Sequence, residues 1–516
     1  MDTHVFSRFP RHRAVCYVAL AILVPRLILV GFAVRLTGDD GDRYLQEGVN
    51  LVQYHVFSHY PLRAGHNIPG EAEYSLTGPT QAGNAEESYS WHPQPTAHDL
   101  PGYPVILAGI MLLFKNLWVT ARVAAVINAV AFTFAAVELY GLLRLAGATR
   151  RVAVWAMALF GLFPESFPYS VFHMPESFFL MALLSCIFLL IRYLREPRQA
   201  TLLFVFMLLG VSILLKPISL FFVVPVLASI CVRYCGNSDN RARVAVAIFL
   251  GVLVEAAILC PWILRNYRVF GVPSLTTVTG NNLFYINYPM MLADKGLSNE
   301  AIRSSLVARI ERAEQQTPNF LTNPMVRSNA LQNIAVSEII SDPTAYAKCV
   351  LKHAPRLYAG TGTFALLQSL GRMPDDIPMD DRSRFGMLRS LNWVLISVAL
   401  SYALLLVLYV LAVRGLVVLL RQRRWPMLIL ACLPLLYFTV IYGPVTTSSR
   451  YRLMMTPFLA ILAGFGAAAN SERGIVEPTH TLLRDRSPDE DAVRCWHARG
   501  ISGRTQPKIT AGAAIG

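Results

Sequence analysis

The stretch VCYVALAILVPRLILVGFAVRL, residues 15–36, is followed one residue later by the acidic sequence GDDGD at residues 38–42. The first segment is long and apolar enough to cross the hydrocarbon core of a bilayer as one helix, whose backbone groups bond to each other because lipid offers no water. The second segment is too polar to lie in lipid. The junction predicts a membrane helix that delivers three aspartates to one face of a bilayer.

The rest of the chain has the composition of a membrane protein. Of its 516 residues 54% are hydrophobic and 15% are charged, and the mean hydropathy is +0.45. A soluble domain needs fewer apolar residues. The formal charge of +14 comes mainly from arginine clusters between apolar runs and in the C-terminal segment, which is typical of topology signals. We therefore expect a membrane, and no nucleic acid, as the partner of these charges.

We predict an all-α polytopic membrane protein, a bundle of about ten transmembrane helices. The apolar segment 102–114 is too short to span a bilayer and is predicted to be interfacial or re-entrant. The predicted crossings are 15–36, 119–143, 152–172, 176–193, 199–215, 218–234, 244–263, 391–413, 425–442 and 453–469. The positive-inside rule then places both termini and four basic clusters in the cytoplasm. These clusters are 144–151, 192–198, 233–243 and 414–424.

The polar stretches between these helices define the predicted domain organisation. Residues 1–470 form the transmembrane domain, with a first extracytoplasmic loop at 37–118 that contains interfacial helices. The polar stretch 265–389 is predicted to be a large extracytoplasmic loop, or cap. Residues 471–516 are polar and rich in Arg, Gly, Thr and Pro, which predicts a disordered cytoplasmic tail.

Acidic residues on the predicted extracytoplasmic face are candidates for catalysis. Asp39, Asp40 and Asp42 lie so close in sequence that their mutual repulsion raises a carboxyl pKa and suits a general base, or together they hold a cation. The alternative is a solvated cap at a helix end. Glu176 begins a predicted helix on the same face, where the helix dipole alone is a sufficient reason for a glutamate. Glu165 lies a few turns deeper.

Basic residues on this face run against the positive-inside trend. They favour an anionic ligand at the membrane surface, such as a lipid phosphate, because guanidinium groups bind phosphate oxygens through two parallel hydrogen bonds. The alternative is that these long side chains reach ordinary lipid headgroups. The candidates are Lys216, Arg265, Arg450 and Arg452.

Four short motifs occur beside these candidates, and each of them is weak alone. The third is the most distinctive. They are DGDRY at 40–44; HDLPGYP at 98–104 with FKN at 114–116 and Arg122; PWILRNYRVFG at 261–271 with GNNL at 280–283; and SRYR at 449–452 with Pro457.

With these motifs the chain resembles the bacterial membrane glycosyltransferases of the GT-C fold, the family of protein mannosyltransferases and aminoarabinose transferases (glycosyltransferase family 39-like). The resemblance implies transfer of a sugar from a polyprenyl-phosphate donor to an envelope acceptor, at the extracytoplasmic face of the inner (plasma) membrane. It implies that Asp40 is the catalytic base, with Asp42 and Asp39 as alternatives, and that Glu176 is the second acid. Arg450 and Arg452 resemble residues that contact the lipid-linked phosphate.

The remaining assignments follow from this hypothesis. We assign substrate binding also to Arg265, Lys216, Tyr44 and His98, the last two because they stand in the motifs. Direct attack on the anomeric carbon predicts inversion of configuration. No cofactor is assigned, and participation of a divalent cation stays open. Leu100-Pro101-Gly102 replaces the lysine–proline–proline stretch of better-known members, so the acceptor, whether protein, lipid or glycan, also stays open.

Two other functions fit part of the sequence. A transporter or lipid flippase would explain Glu138 and Glu255 inside predicted helices, because buried acids often mark ion paths. However, transporters usually contain related halves, and this sequence shows no internal repeat. A noncatalytic scaffold for envelope assembly would leave Asp40 and Glu176 unconstrained in space, so the distance between these residues discriminates it from an enzyme.

Overall fold

The computed structural model describes residues 13–33, 36, 40–59, 94–234, 241–371, 392–442 and 449–469. These ranges contain helices and no strand. Asp39 and the predicted tail 471–516 lie outside the described residues. The all-α prediction is confirmed.

The N-terminal half is a series of ten helices. The third of them begins at Gly102, which packs directly against the end of another helix. A Cβ at this position would lie 2.6 Å from the carbonyl oxygen of Leu214, so glycine is required there. The helices are α1 (Arg13–Phe32), α2 (Gly41–Tyr54), α3 (Gly102–Phe114), α4 (Leu117–Leu145), α5 (Arg150–Gly161), α6 (Ser166–Tyr169), α7 (Glu176–Arg195), α8 (Gln199–Leu215), α9 (Val223–Tyr234) and α10 (Arg241–Phe270). A 3₁₀ turn, Pro217–Phe222, precedes α9.

The segment after α10, which we call the cap, is a group of shorter helices with its own hydrophobic core. Polar side chains cap three of them, since Ser298, Asn323 and Asp342 each accept a hydrogen bond from a first-turn amide. The cap helices are α11 (Val278–Asn282), α12 (Tyr288–Asp294), α13 (Asn299–Gln316), α14 (Pro324–Ser341), α15 (Pro343–Ala359) and α16 (Thr363–Ser369). The helix α10 continues to Phe270, five residues beyond the predicted start of this polar segment at residue 265.

Four further helices complete the described chain: α17 (Asn392–Arg421), α18 (Trp425–Tyr442), α19 (Ser449–Arg452) and α20 (Thr456–Ala468). The helices α17 and α20 approach so closely that only glycine fits at their contact. A Cβ at Gly415 would lie 1.8 Å from the carbonyl oxygen of Leu462, and one at Gly466 would lie 2.0 Å from that of Leu411. Such small-residue contacts are characteristic of membrane helices.

Seven described segments are long and apolar enough to cross a membrane: α1, α4, α7, the segment Pro217–Tyr234, α10, α17 and α18. They coincide with seven of the ten predicted crossings. Two more predicted crossings are the shorter apolar helices α8 and α20, and the short segment 102–114 is helix α3. Large apolar side chains stand exposed on α1, α10 and α17, including Phe32, Phe249 and Leu406. Such faces suit contact with lipid, and the polytopic architecture is confirmed.

The predicted crossing 152–172 is wrong in its length. The helix α5 ends at Gly161, since Pro164 has no amide hydrogen with which to continue it, and a turn and the short α6 follow. The carbonyl of Gly161 then accepts a hydrogen bond from Arg26 of α1.

Arg26 lies in the middle of a membrane helix and is fully buried. Among the described residues it has no carboxylate partner, and its guanidinium lies over the rings of Phe132 and Phe167 at 4.4 and 4.5 Å from their centroids. Its hydrogen bonds run to Ile22 O at 2.6 Å, Gly161 O at 2.8 Å, Ser166 Oγ at 2.6 Å and Ser170 Oγ at 2.7 Å. Arg26 therefore holds the broken segment between α5 and α7 against α1.

We expect Arg26→Met to lower the free energy of unfolding by about 3 kcal/mol, because it leaves buried carbonyl and hydroxyl groups without their charged donor. Thermal unfolding of the detergent-solubilised protein measures this change. Arg192→Met, which removes an exposed arginine from the end of α7, is the matched control and should stay within about 0.5 kcal/mol of the native protein. Equal unfolding temperatures for both variants would contradict this role of Arg26.

Candidate functional site

Asp40 lies immediately before α2 and is positioned by Arg43 one turn later. The guanidinium of Arg43 donates from Nη2 to Asp40 Oδ1 at 2.9 Å. The same guanidinium binds both carboxylate oxygens of Asp99, which lies in the loop before α3. The helices α2 and α3 pack closely, since a Cβ at Gly48 would lie 2.9 Å from Leu107 Cβ. The Arg43–Asp99 contact and the close packing at Gly48 thus hold the start of α2, with Asp40 before it, against α3.

Arg450 of α19 joins Asp40 to Glu176, the first residue of α7. Its Nη1 donates to Asp40 Oδ2, and its Nε donates to Glu176 Oε1. Lys216, at the end of α8, donates to the same Glu176 oxygen at 2.9 Å. Four separate parts of the chain therefore meet in one ion-pair network. The structure brings together four of the predicted site residues, Asp40, Glu176, Lys216 and Arg450.

Burial differs from one end of this network to the other. Glu176 is fully buried, whereas the side chain of Asp40 keeps 28% of its surface exposed. The network is also polarised in charge. Asp40 shares Arg43 with Asp99, Glu176 faces Lys216, and Arg450 lies between Asp40 and Glu176 and binds both. The Glu176 end therefore has the larger share of positive charge and suits an anion, and the Asp40 end, with two carboxylates, has the larger share of negative charge.

The charges around Asp40 determine its protonation. Burial alone would raise the pKa of this carboxyl, but the positive charges of Arg450 and Arg43 lower it well below the usual 3.8. Asp40 is therefore ionised at neutral pH. The low pKa also makes it a weak base for as long as Arg450 remains bound to it.

Aromatic side chains enclose the network. Tyr44 is buried and lies edge-on to Tyr103 at 5.8 Å, and Asn128 donates to the Tyr103 hydroxyl at 2.8 Å. Tyr451 lies beside both cations, with its ring centroid 5.9 Å from the Arg450 guanidinium carbon and 6.0 Å from Lys216 Nζ. Tyr44, which the sequence assigned to substrate binding, also lies 5.8 Å from the Arg43 guanidinium carbon, measured from its ring centroid. These rings exclude water and strengthen the charge interactions.

Arg452 belongs to a different ion pair. It is 1% exposed and binds the carboxylate of Glu165, and its Nη1 donates to the carbonyl of Tyr358 at 2.7 Å. Thr456 Oγ1 donates to the same carboxylate at 2.9 Å. A Cβ at Gly362 would lie 2.6 Å from Glu165 Cα, so the chain before α16 covers this pair. In this structure the contacts of Arg452 are those of a packing residue.

Arg265 and His98 lie together at a second location, near the end of α10. Arg265 donates to the carbonyls of Thr96 at 2.7 Å and Phe57 at 3.3 Å, and its guanidinium lies 5.0 Å from the ring centroid of Trp262. These bonds tie the described ends of the first loop to α10. The His98 ring lies 5.9 Å from that of His59. Burial lowers the pKa of His98, and it lowers that of His59 to about 4.

Asp42 lies in the first turn of α2. Its charge acts on the buried His173, which lies in the turn before α7. His173 in turn contacts the carbonyl of Ala121 at 2.9 Å. Asp42 thus acts on a histidine outside the ion-pair network, although only Gly41 separates it from Asp40.

Sequence reasoning missed three charged residues of this region. Arg43 and Asp99 stand inside two of the recognised motifs, so the motifs marked their positions but not their pairing. Glu47 is fully buried one turn after Arg43, and His59 Nδ1 lies 3.9 Å from its carboxylate. Burial raises the pKa of Glu47 well above its usual value. The available signal was the spacing of Arg43 and Glu47, which places both on one face of α2.

Comparison with known families supports one part of these assignments. Residues 92–264 match the family model described as dolichyl-phosphate-mannose-protein mannosyltransferase. The match includes Asp99, Glu176 and Lys216, whereas Asp40 and Arg450 lie outside it. The resemblance to the GT-C glycosyltransferases is thereby confirmed over this part of the chain. No curated protein matches the chain.

Solved structures that are similar to the chain include oligosaccharyltransferases. An archaeal oligosaccharyltransferase of Archaeoglobus fulgidus, tethered to an acceptor peptide, is 14% identical over 95% of this chain, with a TM-score of 0.46. The AglB protein of the same organism, in complex with an inhibitory peptide and a dolichol-phosphate, is 14% identical over 93%, with a TM-score of 0.43. The present chain spans about half the length of these proteins, 54% in both cases.

A bacterial structure also matches. ArnT from Cupriavidus metallidurans, bound to undecaprenyl phosphate, is 13% identical over 89% of this chain and 78% of its own length, with a TM-score of 0.36.

We expect Arg452→Met to lower the free energy of unfolding by about 3 kcal/mol, because it leaves the Glu165 carboxylate buried and unpaired. Adding Glu165→Gln to this variant should recover part of the loss, since an amide is less costly to bury than a carboxylate. Thermal unfolding in detergent measures both changes. If Arg452→Met unfolds like the native protein and the second substitution lowers stability further, the pair does not stabilise the fold.

Proposed function

Because residues 92–264 match a mannosyltransferase family model, we propose that this protein transfers a sugar from a polyprenyl-phosphate donor to an envelope acceptor, with Asp40 as general base. The observation that carries the proposal is the meeting of Asp40, Glu176 and Arg450, which are up to 410 residues apart in sequence. The proposed base, Asp40, is then in direct contact with Arg450, the cation proposed to bind phosphate. A scaffold has no need of this arrangement.

The donor phosphate binds at the positive end of the network. Arg450 and Lys216 supply the charge, and Glu176 holds both cations in place through one carboxylate oxygen. Guanidinium and ammonium groups stabilise the negative charge that develops on the departing phosphate. Arg452 acts on this site through its neighbour, by fixing the short helix α19. Arg265 shapes the edge of the site by holding the first loop against α10, and His98 does so through its carbonyl, which accepts a hydrogen bond from Thr276.

Donor binding also activates the base. In the resting network Arg450 is shared between Asp40 and Glu176. A phosphate that takes hydrogen bonds from Arg450 weakens the hold of this cation on Asp40, so the pKa of Asp40 rises toward its ordinary value. The base thus gains strength only when the leaving group is in place.

The transfer itself is a single displacement. The acceptor hydroxyl attacks the anomeric carbon as its proton passes to Asp40, and the bond between that carbon and the phosphate oxygen breaks. The electron pair of that bond leaves with the lipid phosphate, next to Arg450. Attack from the opposite side inverts the configuration at the anomeric carbon. The partly exposed face of Asp40 is the side from which the acceptor enters.

The proposed setting is the extracytoplasmic face of the inner membrane, with both termini in the cytoplasm. The acceptor is a lipid, glycan or protein of the envelope. We place the catalytic events between the bilayer and the cap, since the donor is anchored in lipid and the acceptor is outside it.

We expect Asp40→Asn to lower the transfer rate by about a hundredfold or more, because the amide accepts no proton from the acceptor. Transfer of labelled sugar from polyprenyl-phosphate donors to envelope acceptors, in membranes of equal expression, measures the rate. Glu314→Gln, an exposed acid in the cap, is the matched control and should keep the native rate. Full activity in Asp40→Asn together with loss in Asp42→Asn would move the base to Asp42.

The pH dependence of transfer tests the electrostatic setting of Asp40. Arg43→Gln removes one of the charges that lower the pKa of Asp40, so this pKa rises. The active form is the carboxylate, and activity is lost as pH falls through its pKa. The acid limb of kcat/KM against pH should therefore move to higher pH in Arg43→Gln and much less in Arg43→Lys. An acid limb that is unchanged in both variants would exclude Asp40 as the titrating base.

A further inference from the structure

Three metal-binding side chains meet in the cap, away from the site described above. Asp294 is the last residue of α12, and Cys349 and His353 lie one turn apart on the same face of α15. One ligand atom from each of them lies within 4.8 Å of the other two. Asp294 Oδ2 and His353 Nε2 are already 3.0 Å apart.

We propose that Asp294, Cys349 and His353 bind a zinc ion that joins α12 to α15. Zinc takes one thiolate, one imidazole nitrogen and one carboxylate oxygen at about 2.0–2.3 Å, in tetrahedral geometry. Such a tetrahedron requires ligand atoms about 3.5 Å apart. Asp294 Oδ2 and His353 Nε2, 3.0 Å apart, reach that spacing by moving slightly apart, and the Cys349 sulfur already lies within 4.8 Å of the other ligand atoms. Water completes the fourth position.

Burial supports a site that is built for a ligand. Cys349 is fully buried within the hydrophobic core of the cap, beside Phe284 and Tyr288. His353 is 8% exposed, and its Nε2, 3.0 Å from Asp294 Oδ2, is the ring nitrogen that faces the cluster. An imidazole, a carboxylate and a thiol in one enclosed place are the donor types that zinc binds. A metal ion in this apolar surrounding would be held tightly.

Lys352 provides the alternative partner in the absence of metal. Its Nζ lies 2.5 Å from Asp294 Oδ1, and its side chain is 64% exposed. The ammonium therefore neutralises Asp294 but can turn into solvent when a cation arrives. Binding releases the thiol proton of Cys349 to solvent as the zinc–sulfur bond forms, so no oxidant or reductant is required.

The position of the site gives the metal a structural role. The helix α15 runs from this cluster to Tyr358, whose carbonyl accepts the hydrogen bond from Arg452. Arg452 lies in α19 together with Arg450. A zinc ion that fixes α15 to α12 therefore steadies the wall of the cap that contacts α19.

Metal content tests this inference independently of transferase activity. The native full chain, purified in detergent and dialysed against zinc-free buffer, should retain one zinc per chain by plasma mass spectrometry. Cys349→Ser and Asp294→Asn should each lose it, and loss in either folded variant supports the site. Two matched controls should keep it: Cys186→Ser, which changes a buried cysteine of α7, and Cys495→Ser, which changes one near His497.

Lys352→Ala distinguishes a metal site from a simple ion-pair cluster. Removal of the competing ammonium should tighten zinc binding by about tenfold, measured by chelator competition, and should raise the unfolding temperature only when zinc is present. The same zinc content in the native chain and in both ligand variants would overturn the proposal. So would a native chain that holds no zinc and whose unfolding temperature does not respond to added zinc.

Discussion

The candidate site depends on the contacts that the guanidinium of Arg450 makes. It binds Asp40 and Glu176 at once, so the start of α2, the start of α7 and α19 must lie within one side chain of each other. Lys216 adds the end of α8 to the same point. In a membrane bundle such charges tolerate little displacement, because an unpaired buried ion costs several kcal/mol. The network therefore holds the helix ends in register as well as providing charge.

Other buried charges support this arrangement. Arg26 fixes the interrupted segment that leads into α7, and the pair of Glu165 with Arg452 anchors α19. Both sets of contacts satisfy their hydrogen bonds with protein groups, as a region without water requires. The proposed zinc ion would extend the same principle to the cap. The polar contacts of Arg26 and of the Glu165–Arg452 pair thus help to determine where Arg450 can lie.

Much of the architecture followed from hydrophobic run lengths and arginine clusters, because a bilayer permits few alternatives to the membrane-spanning helix. The grouping of Asp40, Glu176, Lys216 and Arg450 followed from placing all four on one face. Arg452 could not be separated from Arg450 by that argument, although residues two apart on a helical turn point to nearly opposite sides. The pairing of Arg43 with Asp99 depends on how α2 packs against the loop before α3, and no local sequence pattern predicts it.

The central claim is that Arg450 binds the donor phosphate, and equilibrium binding of the lipid tests it most directly. Purified native protein and Arg450→Gln would be titrated with polyprenyl phosphate and with the uncharged polyprenol, using Arg303→Gln in the cap as the control for loss of an exposed arginine. We predict that Arg450→Gln weakens binding of polyprenyl phosphate by about tenfold or more, or 1.4 kcal/mol, with polyprenol binding unchanged. Equal affinity of the native protein and Arg450→Gln for polyprenyl phosphate would contradict the account.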